Sequence, residues 1–82
     1  MKLTFEVTIS RKPGLSDPEG TTTLKALHHL GYSGIERASF GRIISIDIEA
    51  KNERAARELV DQMCTKLLAN PVIESYAIDL AT

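Results

Sequence analysis

Few side chains in this sequence have the type and spacing that chemistry requires. His28 and His29 are adjacent, so on a helix they project about 100° apart and cannot chelate one metal as an i,i+4 pair does. A solvated helix edge is the role their position predicts. Cys64 is the single cysteine and falls on an apolar helix face, where an inert core thiol is expected rather than a nucleophile. One cysteine also excludes an intrachain disulfide and a cysteine-rich zinc site. Arg11-Lys12-Pro13-Gly14 offers two cations and a glycine to an anion, but an exposed loop is the simpler account of them. The sequence has no Ser-His-Asp spacing, no paired carboxylates in a marked turn and no glycine-rich phosphate loop. Tyr32 and Tyr76 stand alone, which gives no stacking platform for RNA. The expectation is a binding or assembly module with no catalytic, cofactor-binding or metal-ligating residue.

Length and charge narrow the classes further. A chain of 82 residues is expected to form one domain, 1–82, burying only roughly 60% of its unfolded surface. Small scaffolds lean on disulfides, metals or oligomerisation; with no intrachain disulfide and no cysteine-rich zinc site, oligomerisation is the remaining support. Lys and Arg total 10 against 11 Asp and Glu, so net charge favours neither nucleic acid nor an anionic membrane. No apolar run approaches the roughly 20 residues of a membrane span, and Met1-Lys2 leads straight into a strand pattern, so no leader is expected. A reducing cytoplasm fits this composition.

The elements that carry these residues follow from periodicity. Leu3, Phe5, Val7 and Ile9 alternate with polar residues, the period of a half-buried strand. Arg11 to Ser16 reads as a loop. Asp17 is a candidate N-cap with Pro18 at the first helical position; Leu24, Leu27 and Leu30 form the stripe of that helix, and Gly31 stops it. Ile35 to Phe40 reads as a short second strand, Gly41-Arg42 as a tight turn, and Ile44, Ile46 and Ile48 as a third strand. Asn52 caps a second helix whose core face is Ala56, Leu59, Val60, Met63, Cys64, Leu67 and Leu68. On its outer face Glu53–Arg57 and Arg54–Glu58 are i,i+4 pairs. Asn70 and Pro71 end that helix, Val72 and Ile73 begin an extended run, and Tyr76, Ile78 and Leu80 mark a fourth strand.

The resulting order, β-α-β-β-α-β, predicts an α+β ferredoxin-like (split βαβ) fold: a four-stranded antiparallel sheet with both helices on one face. The opposite face has no cover of its own. Ile43 beside Ile44, and Val72 beside Ile73, require an apolar side chain to point toward that bare face. A second subunit is one cover for it; local packing at strand ends is the other.

These motifs also carry a resemblance. Lys12-Pro13-Gly14-Leu15, Asp17-Pro18-Glu19-Gly20, Leu27 to Gly31, Gly41-Arg42 before an isoleucine-rich strand, and Met63-Cys64 followed by Leu67-Leu68-Ala69-Asn70-Pro71-Val72-Ile73-Glu74-Ser75-Tyr76 occur in that order. From about Phe5 to Ile78 the chain resembles the PurS family, the small subunit of phosphoribosylformylglycinamidine synthase in purine biosynthesis. The Leu-Leu-Ala-Asn-Pro-Val-Ile-Glu-x-Tyr run is the most specific part. Ser16 stands where the family often has a bulky aliphatic residue, and Arg42 where a lysine is common, which keeps the charge but changes donor geometry.

The resemblance implies a non-catalytic subunit of an ATP- and glutamine-dependent carbon–nitrogen ligase. Its partners would be a PurL-type synthetase, a PurQ-type glutaminase and a second copy of itself, as a dimer or tetramer. The complex converts formylglycinamide ribonucleotide, glutamine and ATP into formylglycinamidine ribonucleotide, and ammonia passes between its subunits. ATP and magnesium would be used by the synthetase, with no cofactor in this chain. Partner contact is expected at Lys12, Pro13, Gly14, Asp17, Pro18 and Gly20, at Gly41 and Arg42, and at Asn70 and Pro71, which are loop and turn positions. Self-association is expected at Ile43, Ile73, Tyr76 and Ile78, on the bare sheet face or the last strand. Two other classes share the element order. A small-molecule regulatory domain of the ACT type would bind ligand near Gly14, and an acylphosphatase-like enzyme would need a catalytic asparagine, whereas Asn52 and Asn70 both read as helix-terminus residues.

Overall fold

The computed structural model describes residues 1–81. Alternation of apolar and polar residues gives β1 its form over Lys2–Arg11, with Phe5, Val7 and Ile9 buried and their neighbours exposed. Helix α1 runs Pro18–His29, β2 Gly41–Glu49, α2 Glu53–Met63 and β3 Glu74–Leu80. The sheet is three-stranded and antiparallel in the order β2-β1-β3. The expected four-stranded sheet is therefore corrected: Ile35 to Phe40 forms no strand, and Gly41-Arg42 is no turn.

The cause lies in two backbone commitments. The Phe40 amide donates to Asp17 Oδ2 at 2.8 Å, so it is held by the start of α1. Gly41 pairs with Ser10 as the first residue of β2. A Cβ on Gly41 would lie 2.5 Å from the Ile9 carbonyl oxygen, so a bare backbone lets the strands meet there. Residues that would have reversed the chain instead continue straight into the ladder.

Both caps of α1 form as the sequence expects. Asp17 Oδ1 accepts from the Gly20 amide at 3.0 Å, with Pro18 at the helix start. At the other end Gly31 adopts φ +100°, while the Tyr32 amide bonds the Leu27 carbonyl and the Gly31 amide the His28 carbonyl, both at 3.0 Å. That is a Schellman closure, with glycine in its left-handed position.

The placement of α1 differs from expectation. Only α2 lies on the sheet; the buried core comprises Phe5, Val7, Ile9, Ala56, Val60, Cys64 and Ala69, and no residue of α1 packs against it. Helix α1 and the segment returning from it project as an arm. The radius of gyration is 16.3 Å and the long dimension 51 Å, whereas a compact chain of this length has a radius near 12 Å.

Helix α2 also departs from its expected stripe. Ala56, Val60 and Cys64 are buried, but Leu59, Met63 and Leu67 are 43%, 37% and 81% exposed. After Met63 the helix widens into a π-turn, Cys64–Leu68, which shifts the side-chain register by about one residue. Its two i,i+4 ion pairs form, Arg57–Glu53 at 3.4 Å and Arg54–Glu58 at 3.7 Å, each worth a few tenths of a kcal/mol at best, roughly.

Candidate functional site

Strand register sorts the side chains. Because Ile9 faces Arg42 and Tyr76, and Arg11 faces Glu74, the helix-side face of the sheet ends in a row of charge beyond its apolar residues. At this end the three loop segments singled out in the sequence converge. The pieces are short and polar, so each is held by hydrogen bonds rather than by burial.

Lys12 joins the first loop to the corner after α2. Its amide donates to the Ile73 carbonyl at 2.9 Å and its Nζ to the Pro71 carbonyl at 2.6 Å. Pro13 and Gly14 occupy the middle of a four-residue turn closed by the Leu15 amide on the Lys12 carbonyl. Gly14 has φ +83°, the conformation that the residue after proline takes in a type II turn.

Asn70 organises the corner itself. Its side-chain Oδ1 accepts from the Val72 amide, and its carbonyl accepts from the amides of Ile73 and Glu74. Val72 and Ile73 are therefore turn residues, and β3 starts at Glu74 rather than at Val72. The helix ends before Asn70, with Ala69 already extended.

Arg42 and Glu74 bind these parts together. The Arg42 guanidinium makes a forked pair with Glu74, Nη1 to Oε2 at 2.9 Å and Nη2 to Oε1 at 3.2 Å, and Nη2 also donates to the Leu68 carbonyl at 2.9 Å. Glu74 Oε1 further accepts from the Asn70 amide at 2.8 Å. Across the same shallow cleft of about 250 Å³ lie Arg11, Asp17, Glu19 and Phe40. Asp17 closes its far side by holding the Gly20 and Phe40 amides on separate oxygens. A Cβ on Gly20 would collide with the Ala38 carbonyl, so this residue must be glycine for the arm to seat.

Lys12, Asp17, Gly20, Gly41, Arg42, Asn70 and Pro71 thus meet at one end of the sheet, whereas Pro13, Gly14 and Pro18 shape its margins. Glu74 is the hub that sequence reasoning missed. Its signal lay in a lone carboxylate just after the Asn-Pro corner, and only the β1–β3 register brings that group to Arg42. Of the four positions expected at a self-contact, Ile43 lies on the helix-free face and is 65% exposed. Ile73 is half-buried in the corner, and Tyr76 and Ile78 are half-buried beneath α2. The Tyr76 hydroxyl donates to Asp61 Oδ1 at 2.6 Å, and Arg57 Nη1 donates to the Ile78 carbonyl at 2.9 Å.

The other reactive types fall outside this cleft. Cys64 is fully buried, and burial, with Asp61 nearby, raises its pKa and keeps it a thiol. His28 does more than edge a helix: its Nε2 donates to the Ile35 carbonyl at 2.7 Å and closes the tip of the arm. Among the described residues no three metal-ligating side chains come together, and no described helix is long and apolar enough to cross a membrane.

Charge in this cleft and at the Tyr76–Asp61 pair under α2 makes stability depend on pH at both extremes. The Arg42 fork, then the Asn70 amide, holds the Glu74 carboxyl below its ordinary 4.5. The Phe40 and Gly20 amides hold Asp17 below 3.8. A depressed folded pKa gives stability that is present above the unfolded value and lost as pH falls through the folded one. The melting temperature is therefore expected to start falling near pH 4.5 and to keep falling below the ordinary Asp17 value of 3.8. Tyr76 behaves oppositely. Its hydrogen bond to Asp61, with burial, pushes it up to about 12 from 10.0, so stability present below pH 10.0 is lost toward about 12. Thermal melts across pH check both arms: Glu74→Gln should flatten the acid slope, and Tyr76→Phe the alkaline one.

Comparison with known proteins agrees with this architecture. The family model PurS, described as phosphoribosylformylglycinamidine (FGAM) synthase, matches residues 4–82. A PurS subunit of that synthase from Archaeoglobus fulgidus is 47% identical over 73 residues, covering 89% of this chain and 91% of the relative. The Bacillus subtilis subunit is 37% identical, covering 92% and 88%. Among solved structures, Methanocaldococcus jannaschii PurS superposes with a TM-score of 0.86 at 39% identity, covering 100% of this chain and 98% of the other. A chain in the structure of PurLQS from Thermotoga maritima superposes with a TM-score of 0.91 at 28% identity, covering 98% of both. With the sequence motifs, the three-stranded sheet and these full-length matches in agreement, the chain belongs to the PurS family.

Proposed function

We propose that this chain is the small, non-catalytic subunit of phosphoribosylformylglycinamidine synthase, holding a PurL-type synthetase and a PurQ-type glutaminase in one assembly. The observation that carries this reading is its end-to-end match to a chain of the Thermotoga maritima PurLQS structure. Its surface chemistry supports the role. The cleft bounded by Arg11, Glu19, Arg42 and Glu74 offers fixed charge and rigid backbone to a protein surface. The clamps on Lys12, Asp17 and Asn70 fix that surface before binding, which lowers the entropy cost of docking.

In this reading the reaction belongs to the partners. The glutaminase releases ammonia from glutamine. The synthetase uses ATP and magnesium to activate formylglycinamide ribonucleotide and adds the ammonia to give formylglycinamidine ribonucleotide. This chain keeps the two sites in register, so ammonia passes between them without escaping to bulk water. It works as a homodimer, in the cytoplasm where these substrates are made. Ile43, exposed on the helix-free face, is the one of the four proposed self-contact positions whose side chain is largely free.

Reconstitution tests the proposal. Synthetase and glutaminase from the source organism, mixed with this chain, should give glutamine-dependent product. Omitting the chain should abolish that flux and spare synthesis driven by added ammonium. Equal glutamine-dependent rates with and without the chain would sink the adaptor reading.

A further inference from the structure

The helix-free face of the sheet is bare, and its charge is uneven. Register turns the even-numbered residues of β1 and the odd-numbered residues of β2 and β3 to this side. All of them but Thr4 are exposed. Glu6, Asp47, Glu49 and Asp79 bring four carboxylates and only Lys2 brings an ammonium, although the whole chain has a net charge of −1. Glu6 stands directly opposite Asp79. Like charges so placed destabilise a sheet, and no ion pair among the described residues involves either of them. Asp47, one diagonal step from Glu6, accepts only from the Thr4 hydroxyl, at 2.7 Å.

Toward the arm the same face becomes small and apolar. Thr8 lies between Ile43 and Ala77. Ile43 is 65% exposed, and Phe40, at the entry to β2, is 43% exposed. With Thr8, Ser10 and Gly41 they line an open hollow of about 550 Å³. Thr8 and Glu6 are two residues apart on one strand, so hollow and carboxylate pair sit about 7 Å apart, at roughly 3.4 Å per residue. A single protein surface can reach both.

An adaptor between two enzymes needs two surfaces, and the charged cleft at the corner is only one. The occupant of the helix-free face must bring positive charge beside an apolar projection. A second copy meeting it face to face about a two-fold axis would bring the same four carboxylates. Resting on the adaptor reading above, we propose that this face docks a basic surface of one of the two enzyme subunits. A Lys or Arg of that subunit settles over the Glu6–Asp79 pair, and an aliphatic or aromatic side chain fills the hollow beside Ile43. Repulsion borne by the free chain is relieved in the complex, so the pair favours this partner and turns away an acidic one. Ile43 then serves a contact between unlike subunits, and the homodimer is held elsewhere.

Charge substitution separates a docking role from a folding one, because it should move stability and binding in opposite directions. Glu6→Gln/Asp79→Asn removes the repulsion, and Glu6→Lys sets a cation opposite Asp79. Both variants should melt at or above the parent's temperature and keep its mass by light scattering. By biolayer interferometry against each enzyme subunit, one of the two should bind the parent and bind both variants roughly 10-fold or more weakly. Raising NaCl from about 50 to about 300 mM should weaken the parent complex more than that of Glu6→Gln/Asp79→Asn, since exposed charge is screened. Ile43→Ser should weaken the same complex and leave its salt dependence as in the parent. Parental affinity in both charge variants, or a loss of binding that tracks a fall in melting temperature, would overturn the docking surface. So would a charge variant that loses its homodimer yet binds both enzymes normally, since a second copy would then be the occupant. A parent that binds neither enzyme subunit would sink the adaptor reading itself, and this contact with it.

Discussion

Phe5→Ala should unfold this protein or bring it close to unfolding. Phe5 is 0% exposed, faces Ile46 and Leu80 across the central strand, and has the Arg57 guanidinium 5.3 Å from its ring centre. Removing such a ring costs about 3–5 kcal/mol through lost transfer energy and the cavity left behind. A domain of this size holds only about 4–12 kcal/mol in total, so most of its margin is lost. The melting midpoint should fall by roughly 15–30 °C, or no cooperative transition should remain. Calorimetry or a urea titration reads the result, with Thr8→Val on the helix-free face as a near-neutral control. A fall of only a few degrees for Phe5→Ala would mean that the sheet's stability resides elsewhere.

The second large effect is expected from Arg42→Ala. This one substitution removes both arms of the fork to Glu74 and the bond to the Leu68 carbonyl. The Glu74 side chain is 14% exposed, so its carboxylate keeps the Asn70 amide but loses its counter-ion where water compensates poorly. The corner then floats relative to β2. Stability should fall by more than for loss of the exposed Arg54–Glu58 pair. The larger consequence falls on assembly, because a loosened surface pays its ordering cost on binding. In the reconstituted complex, glutamine-dependent synthesis should drop while ammonium-dependent synthesis is kept. Arg42→Lys should rescue only part of the loss, since an ammonium keeps the charge but cannot form the fork. An Arg42→Ala protein with parental melting and parental glutamine-dependent flux would remove this cluster from both roles.

How much of this was legible beforehand depended on whether the signal was local. The alternation of Leu3 to Ile9, the Asp17–Pro18 cap, the Gly31 stop and the Asn52 cap each act within a few residues, and each formed. Ile35 to Phe40 has strand-like composition, yet its ladder was decided elsewhere: Asp17, 23 residues away, holds the Phe40 amide, and β1 takes Gly41. The stripe of α2 is broken past Met63 by a π-turn that nothing local in Cys64–Leu68 announces, while Leu59 and Met63, ahead of that turn, are exposed on the helix flank. At the site, the loops and turns were identifiable as surface features by their proline, glycine and asparagine. Their convergence was not, since Lys12–Pro71 and Arg42–Glu74 are set by strand register across the whole chain.

The π-turn at Cys64–Leu68 also constrains how this chain can change in length. It accommodates about one extra residue between the buried part of α2 and the corner at Asn70. Deleting that residue would let the turn revert to α-helix, whereas a second inserted residue would rotate everything downstream by about 100° relative to the sheet. The Leu68 carbonyl would swing away from Arg42 and the Pro71 carbonyl away from Lys12, both at once. Insertions would be absorbed instead at Ser33 and Gly34, the exposed tip of the arm. The spacing of the helix–corner joint is therefore as specific a property of the protein as any side chain in it.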